Sequence, residues 1–134
     1  ENEKESIGPT ADRLLRLSGP ERYRMLTQAR LADGIMDASI LVVYETRFRP
    51  DLPHSPRWLD HQRGKIHRGL AAFEAKPPDP TRTDVVSIGL SCALGYLDWR
   101  KQIDWRATYP ALVAWLKNFS EHEPAFERTR AKDS

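Results

Sequence analysis

One cysteine, Cys92, is all that this chain of 134 residues contains. That excludes an internal disulfide, and with it the disulfide-stapled scaffolds of small secreted domains. A reducing cytoplasm is the expected compartment, with no secretory leader. Long apolar runs are also missing. The longest stretch without a charged residue is the thirteen residues from Val85 to Leu97, against roughly 20 needed to span a bilayer, so no membrane partner is expected. Neither sign of charge dominates: 21 Lys and Arg face 19 Asp and Glu, and the arginines are scattered. A nucleic-acid partner would need a clustered basic stripe, so none is expected. There is no glycine-rich phosphate loop, since Gly89 and Gly95 sit inside the apolar run and read as packing glycines. No segment alternates between turns as a strand does, and Ile40 to Tyr44, the most β-branched stretch, continues a helical pattern.

What is present is helical. The length suits one domain with a real core, burying about two-thirds of the unfolded chain's surface. Residues 84–100 (DVVSIGLSCALGYLDWR) are apolar or small between Asp84 and Asp98. A helix with no polar face belongs at the centre of a bundle, which places Cys92 among the packing residues. Asp84 followed by Ser87 predicts a helix cap with the two capping-box partners exchanged. Pro20, after Ser18-Gly19, opens a long helix over roughly 20–48. Met25, Ala29, Ala32, Ile35, Met36, Ser39, Val42 and Val43 recur on its inner side, and Pro50 and Pro53 stop it. Ser55-Pro56 starts a second helix reaching about residue 76, with Trp58, Leu59, Gln62, Ile66, Leu70 and Phe73 inward. Residues 76–80 form a proline-rich linker. Trp99, Ile103, Trp105 and Tyr109 read as an aromatic cluster in the loop after the apolar helix. Thr108 and Pro110 start a helix that buries Leu112, Val113, Leu116 and Phe119, and Glu123-Pro124 opens a short one to about Arg130. The expected architecture is an all-α bundle of about five helices.

Chemistry-bearing motifs are sparse. His61 and His67 are six apart, on different faces of a helix, and Cys92 is remote from both in sequence, so no metal site is expected. Asp60-His61 lacks a nucleophile partner and reads as a solvated face. Asp33 and Asp37 are four apart on one helical face. Either local pairing with Arg30 and Arg47 offsets their repulsion, or the pair faces a cationic group on a ligand. Tyr44, Glu45 and Arg47, beside the Pro50 turn, either line a pocket or cap the bundle. The charged start, Glu1 to Ser6, is a solvated arm or the tail of an earlier helix.

Taken in combination, ARLADGIMDASILVVYETRFRP (29–50), ALGYLDWR (93–100), the Trp105-Arg106 pair and YPALVAW…EPAF (109–126) carry a resemblance. The chain resembles the C-terminal, all-helical domain of a bacterial cytosolic glutathione S-transferase, over about residues 13–130. The family's Ser/Thr-x-x-Asp cap falls on Asp84 to Ser87 with the residue types reversed. Residues 1–12 are then a linker or the end of a thioredoxin-like N-terminal domain, which the resemblance implies as a partner, and 131–134 are a frayed tail. It implies a homodimer and, in the parent enzyme, transfer of glutathione thiolate to hydrophobic small molecules, a detoxification chemistry. Glutathione would be the parent's co-substrate; no cofactor and no catalytic residue are expected within this chain. Asp33 matches the acidic residue that reaches the γ-glutamyl amino group, and Ser39, Val43 and Tyr44 are the expected pocket lining. Trp99 and Trp105 are expected in the core. Two other readings stand beside this one: a non-catalytic helical protein-interaction module, and a helical bundle with an unrelated ligand.

Overall fold

A computed structural model describes residues 13–132. Six helices lie wholly within them: α1 (Gly19–Phe48), α2 (Pro56–Ala75), α3 (Val85–Arg100), α4 (Trp105–Thr108), α5 (Pro110–His122) and α6 (Ala125–Thr129). The expected linker at 1–12 lies outside the described residues. Of the expected tail, 131 and 132 are described, and they are exposed and non-helical.

Local chemistry sets the helix ends. Gly19 takes a φ of 81°, a left-handed value that favours glycine, and Pro20 follows it in the first turn of α1. Ser55 accepts a hydrogen bond from the Trp58 amide at 3.3 Å and Pro56 opens α2. At α3, Asp84 Oδ1 accepts from the amides of Val86 and Ser87, both at 3.0 Å. The Asp84 amide donates to Ser87 Oγ at 2.9 Å, completing the exchanged box. Ser87 Oγ in turn donates to the Arg82 carbonyl at 2.7 Å, tying the linker to the helix start.

The long helix α1 packs against both α2 and α3. The approach is close because small residues face large ones. A Cβ on Gly69 of α2 would lie 2.5 Å from Cγ1 of the buried Ile35, and one on Gly89 of α3 would lie 3.3 Å from Ala32 Cβ. Ile66, Leu70 and Phe73 from α2, Leu90, Leu94 and Leu97 from α3, and Leu112, Trp115 and Phe119 from α5 complete the core. Val113 is only partly buried, with Trp115 taking the inner position beside Leu116.

Two features differ from the sequence expectation. The loop after α3 contains the extra helix α4. A four-residue helix cannot nucleate on propensity alone; here Trp105 is 1% exposed and its Nε1 donates to Asp98 at 2.9 Å, so tertiary anchoring forms the turn. Second, α3 is not covered on every side. Ile88 and Cys92 are exposed, and Tyr96 and Trp99 are only half-buried. Cys92 is therefore not a core packing residue: it lies on a stripe that no described residue covers.

The start of α5 has no side-chain cap of its own. Glu74, from the end of α2, supplies one: its two carboxylate oxygens accept from the amides of Ala111 and Leu112, each at 2.8 Å. The negative carboxylate also suits the positive end of the α5 dipole. Next to it, the Tyr109 hydroxyl donates to the His67 carbonyl at 3.2 Å and lies 2.8 Å from His67 Nδ1. Burial, and then the charge of Glu74, push the Tyr109 phenol above its ordinary value.

Substituting Gly69→Ala should cost about 1–3 kcal/mol by overpacking α1 against α2, read as a lower denaturation midpoint with an unchanged slope. Tyr109 generates a second expectation. A raised folded pKa stabilises fully below the unfolded value near 10.0 and is lost as pH rises through the folded value. Wild type should therefore lose stability above that pH faster than Tyr109→Phe. Identical alkaline profiles for the two would contradict the assignment.

Candidate functional site

The uncovered stripe of α3 forms the floor of a groove of about 200 Å³ between α1 and the C-terminal segment. Its walls are mostly apolar. Met36 comes from α1, Cys92, Tyr96 and Trp99 from α3, and Phe126 from α6, with Arg130 at the end of the wall. Gly95 keeps the floor low: a Cβ there would already touch the Phe126 ring at 3.6 Å. Ser91 is buried and its hydroxyl donates back to the Ile88 carbonyl at 3.0 Å, so it offers the groove no free donor.

The aromatic wall is held from behind. Tyr96 meets Trp99 edge-on with ring centroids 6.1 Å apart, and the Arg100 guanidinium lies 3.5 Å from the Trp99 ring centroid. Asp98 anchors the neighbouring elements. Its Oδ1 accepts from Trp105 Nε1 at 2.9 Å and from Arg106 Nε at 3.0 Å, and its Oδ2 accepts from Arg106 Nη2 at 2.6 Å. The Asp98 hydrogen bond raises the pKa of the Arg106 guanidinium. Arg130 reaches the same Oδ2 at 3.4 Å, so one carboxylate joins α3, α4 and the C-terminal segment.

The groove is thus a mostly apolar surface, with Ser91, Cys92, Tyr96, Thr129 and Arg130 as the members of its lining that carry hydroxyl, thiol or guanidinium groups. Among the described residues no group of three or more His, Cys, Asp or Glu side chains is arranged to hold a metal ion. No described helix is long and apolar enough to cross a membrane.

Comparison with known proteins identifies the architecture. Residues 56–118, from α2 through most of α5, match the model of the glutathione S-transferase C-terminal domain. A glutathione transferase family member from Pseudomonas fluorescens Pf-5, solved with bound S-(propanoic acid)-glutathione, is 44% identical with a TM-score of 0.82. The alignment covers 90% of this chain and 62% of that one. This chain is a helical domain of the glutathione S-transferase C-terminal type. The GST-like protein YibF of Escherichia coli (strain K12) is 39% identical over 114 residues, 81% of this chain and 55% of YibF. A glutathione S-transferase from Methylobacillus flagellatus KT, solved with glutathione bound, is 26% identical with a TM-score of 0.81, covering 94% of this chain and 64% of that one. The chain therefore spans a little over half to just under two-thirds of the length of these relatives.

Within this glutathione S-transferase-type domain, the residues singled out from sequence fall into two groups. Asp33, Asp37 and Tyr44 are exposed along one strip of α1. Asp33 meets Arg30 only at 4.0 Å, with both side chains largely in solvent, so local pairing is weak. Tyr44 packs edge-on against Phe48, with ring centroids 4.9 Å apart. Ser39 and Val43 instead face the core and line no groove among the described residues. Ser39 is 2% exposed and its hydroxyl donates to the Ile35 carbonyl at 2.7 Å. The reason is helical phase: they lie on the side of α1 that meets its neighbours, while Tyr44 is turned away. Trp105 is core as expected, but Trp99 is not.

Tyr96, Phe126 and Arg130 were missed as groove residues, and Met36 was assigned to the core. A signal existed for Tyr96. Ile88, Cys92, Tyr96 and Trp99 recur at four-, four- and three-residue spacing, a stripe that includes two aromatic rings with polar atoms and no branched core filler at its end. Nothing local in the sequence brings Phe126 and Arg130 to that stripe.

Removing the shared carboxylate tests the anchor. Asp98→Ala leaves the buried Trp105 N–H unpaired and frees Arg106 and Arg130. It should cost about 2–4 kcal/mol, with amide exchange accelerated first in α4 and in the segment after α6. A change confined to α4 would show that Arg130 is not held by Asp98.

Proposed function

We propose that this chain is the co-substrate-binding and dimerisation domain of a glutathione transferase. The observation that carries the reading is the 44% identity, over 90% of the chain, to a family member solved with a glutathione thioether bound. The apolar groove supports it, since a hydrophobic co-substrate needs a wall with few competing polar groups. In the parent enzyme a thioredoxin-like segment binds glutathione and activates its thiol. The thiolate sulfur then forms a bond to an electrophilic carbon, and the leaving group departs with its electron pair. This domain contributes apolar binding and orientation, which hold the electrophile in line for attack.

Asp33 is the proposed contact for the γ-glutamyl ammonium of glutathione. Its carboxylate is exposed and loosely paired, which leaves it free for a charge-assisted hydrogen bond. Since it lies on α1 rather than in the groove, the glutathione it serves is proposed to sit on the partner of a homodimer. The exposed apolar residues Leu41, Tyr44 and Phe48 on α1 support such an interface. Tyr44 is retained as a proposed pocket residue at this edge; Ser39 and Val43 act by packing α1 in place. A cytoplasmic setting and a role in detoxification belong to the same proposal. No comparison favours a non-catalytic interaction module.

The test is conjugation of glutathione to a chlorodinitrobenzene by the full-length native polypeptide. Thioether formation is expected with the full chain and not with these 134 residues alone. Asp33→Asn should raise KM for glutathione about tenfold with little change in kcat. Absence of glutathione-dependent thioether formation across a panel of electrophiles would refute the reading.

A further inference from the structure

A separate pocket of about 330 Å³ opens at the end of the bundle where α1 and α3 begin and α5 ends. Its described lining is Arg13, Arg16, Thr81, Arg82, Thr83 and His122, with no carboxylate among them. Segments far apart in sequence therefore bring their cationic groups to one cavity. Arg13 and Arg16 precede α1, Arg82 precedes the cap of α3, and His122 is the last residue of α5. The stretch before α1 is tied to that helix, since Arg22 Nη1 donates to the Arg16 carbonyl at 3.1 Å.

Asp79, Asp84 and Glu123 stand beside this lining, and each is engaged by other donors. Asp79 Oδ1 accepts from the amide and the hydroxyl of Thr81, at 2.8 Å and 2.7 Å. Those bonds, and in smaller measure the charges of Arg82 and His122, hold the Asp79 carboxyl below its ordinary value. Asp84 Oδ1 is committed to the first amides of α3. Its Oδ2 lies 3.8 Å from Arg82 Nε, too long for a hydrogen bond. Glu123 accepts from the Thr83 hydroxyl at 3.0 Å and from the Ala125 amide at 3.2 Å. Both threonine hydroxyls are thus spent on acids, and the donors left to the cavity are guanidinium and imidazole groups.

We infer that this pocket binds a phosphate group, free or carried by a small metabolite. A carboxylate has one charge and two oxygens, few for donors that meet from three segments. A phosphate monoester carries close to two charges and three strong acceptor oxygens. Guanidinium forks match pairs of those oxygens. The volume is near the low end of small-molecule pockets, roughly 300–1,000 Å³, so the rest of the ligand is small. Binding joins the approach to α1, the start of α3 and the end of α5. The Arg82 carbonyl already accepts from Ser87 Oγ in the α3 cap, so a held Arg82 also steadies that cap. None of these residues serves the proposed transfer of glutathione, and the inference stands apart from it.

The experiment measures calorimetric Kd values of inorganic phosphate, glycerol phosphate and acetate on the full-length polypeptide. Saturating glutathione is present throughout, which keeps the probes off any glutathione site. Both phosphates should bind at least about tenfold more tightly than acetate. Arg13→Met and Arg82→Met should each weaken them about tenfold, and Arg82→Lys should restore part of the loss. Arg13 is exposed ahead of α1, so its variant tests binding apart from folding. Tighter binding of glycerol phosphate than of inorganic phosphate assigns the site to a metabolite, and the reverse order to the free ion. Amide exchange should slow together in residues 13–16 and 81–84 when phosphate is added. Undetectable phosphate binding, or acetate bound as tightly, overturns the inference. So does a phosphate affinity that neither Met variant changes, which would place the anion elsewhere on the protein.

Discussion

The close approach of α1 to two neighbours is the constraint on which the rest depends. It requires Gly69 opposite Ile35 on one side and Gly89 opposite Ala32 on the other. With small residues at both crossings, the 30-residue helix α1 can pack along much of α2 and α3 without displacing either. Its remaining strip is then left open, and that strip carries Asp33, Asp37, Tyr44 and Phe48. The glycine contacts therefore decide both the core and which face of α1 is free to meet a ligand or a partner.

A second layer of the structure is built from tertiary substitutes for local signals. The N-terminus of α5 is capped by Glu74 from α2, and α4 exists because Trp105 is buried and bonded to Asp98. Trp115 Nε1 donates to the Pro78 carbonyl at 2.8 Å, and Thr83 donates to Glu123 at 3.0 Å, so the linker before α3 is fastened to α5 and its end. All of these bonds except Trp105 to Asp98, which are seven residues apart, join residues far apart in sequence. Together they fasten α4, α5 and the linker before α3 to the rest of the bundle.

Periodicity and end signals in the sequence determined the all-α architecture, the extent of α1, α2, α3 and α5, and the exchanged cap at Asp84 and Ser87. These are local matters, set by apolar recurrence at three and four residues and by short polar side chains reaching their own backbone. The motif combination also determined the family. Only the tertiary structure decided which faces stayed open. An uncharged run such as Val85 to Leu97 reads as buried all round, yet burial of Cys92 or Tyr96 depends on whether another element arrives above them, and among the described residues none does. The same holds for Ser39 and Val43 against Tyr44, where the step of about 100° between adjacent helix residues separates core from surface. It holds most of all for Phe126 and Arg130, brought to the groove by a chain reversal and one shared carboxylate that no local pattern encodes.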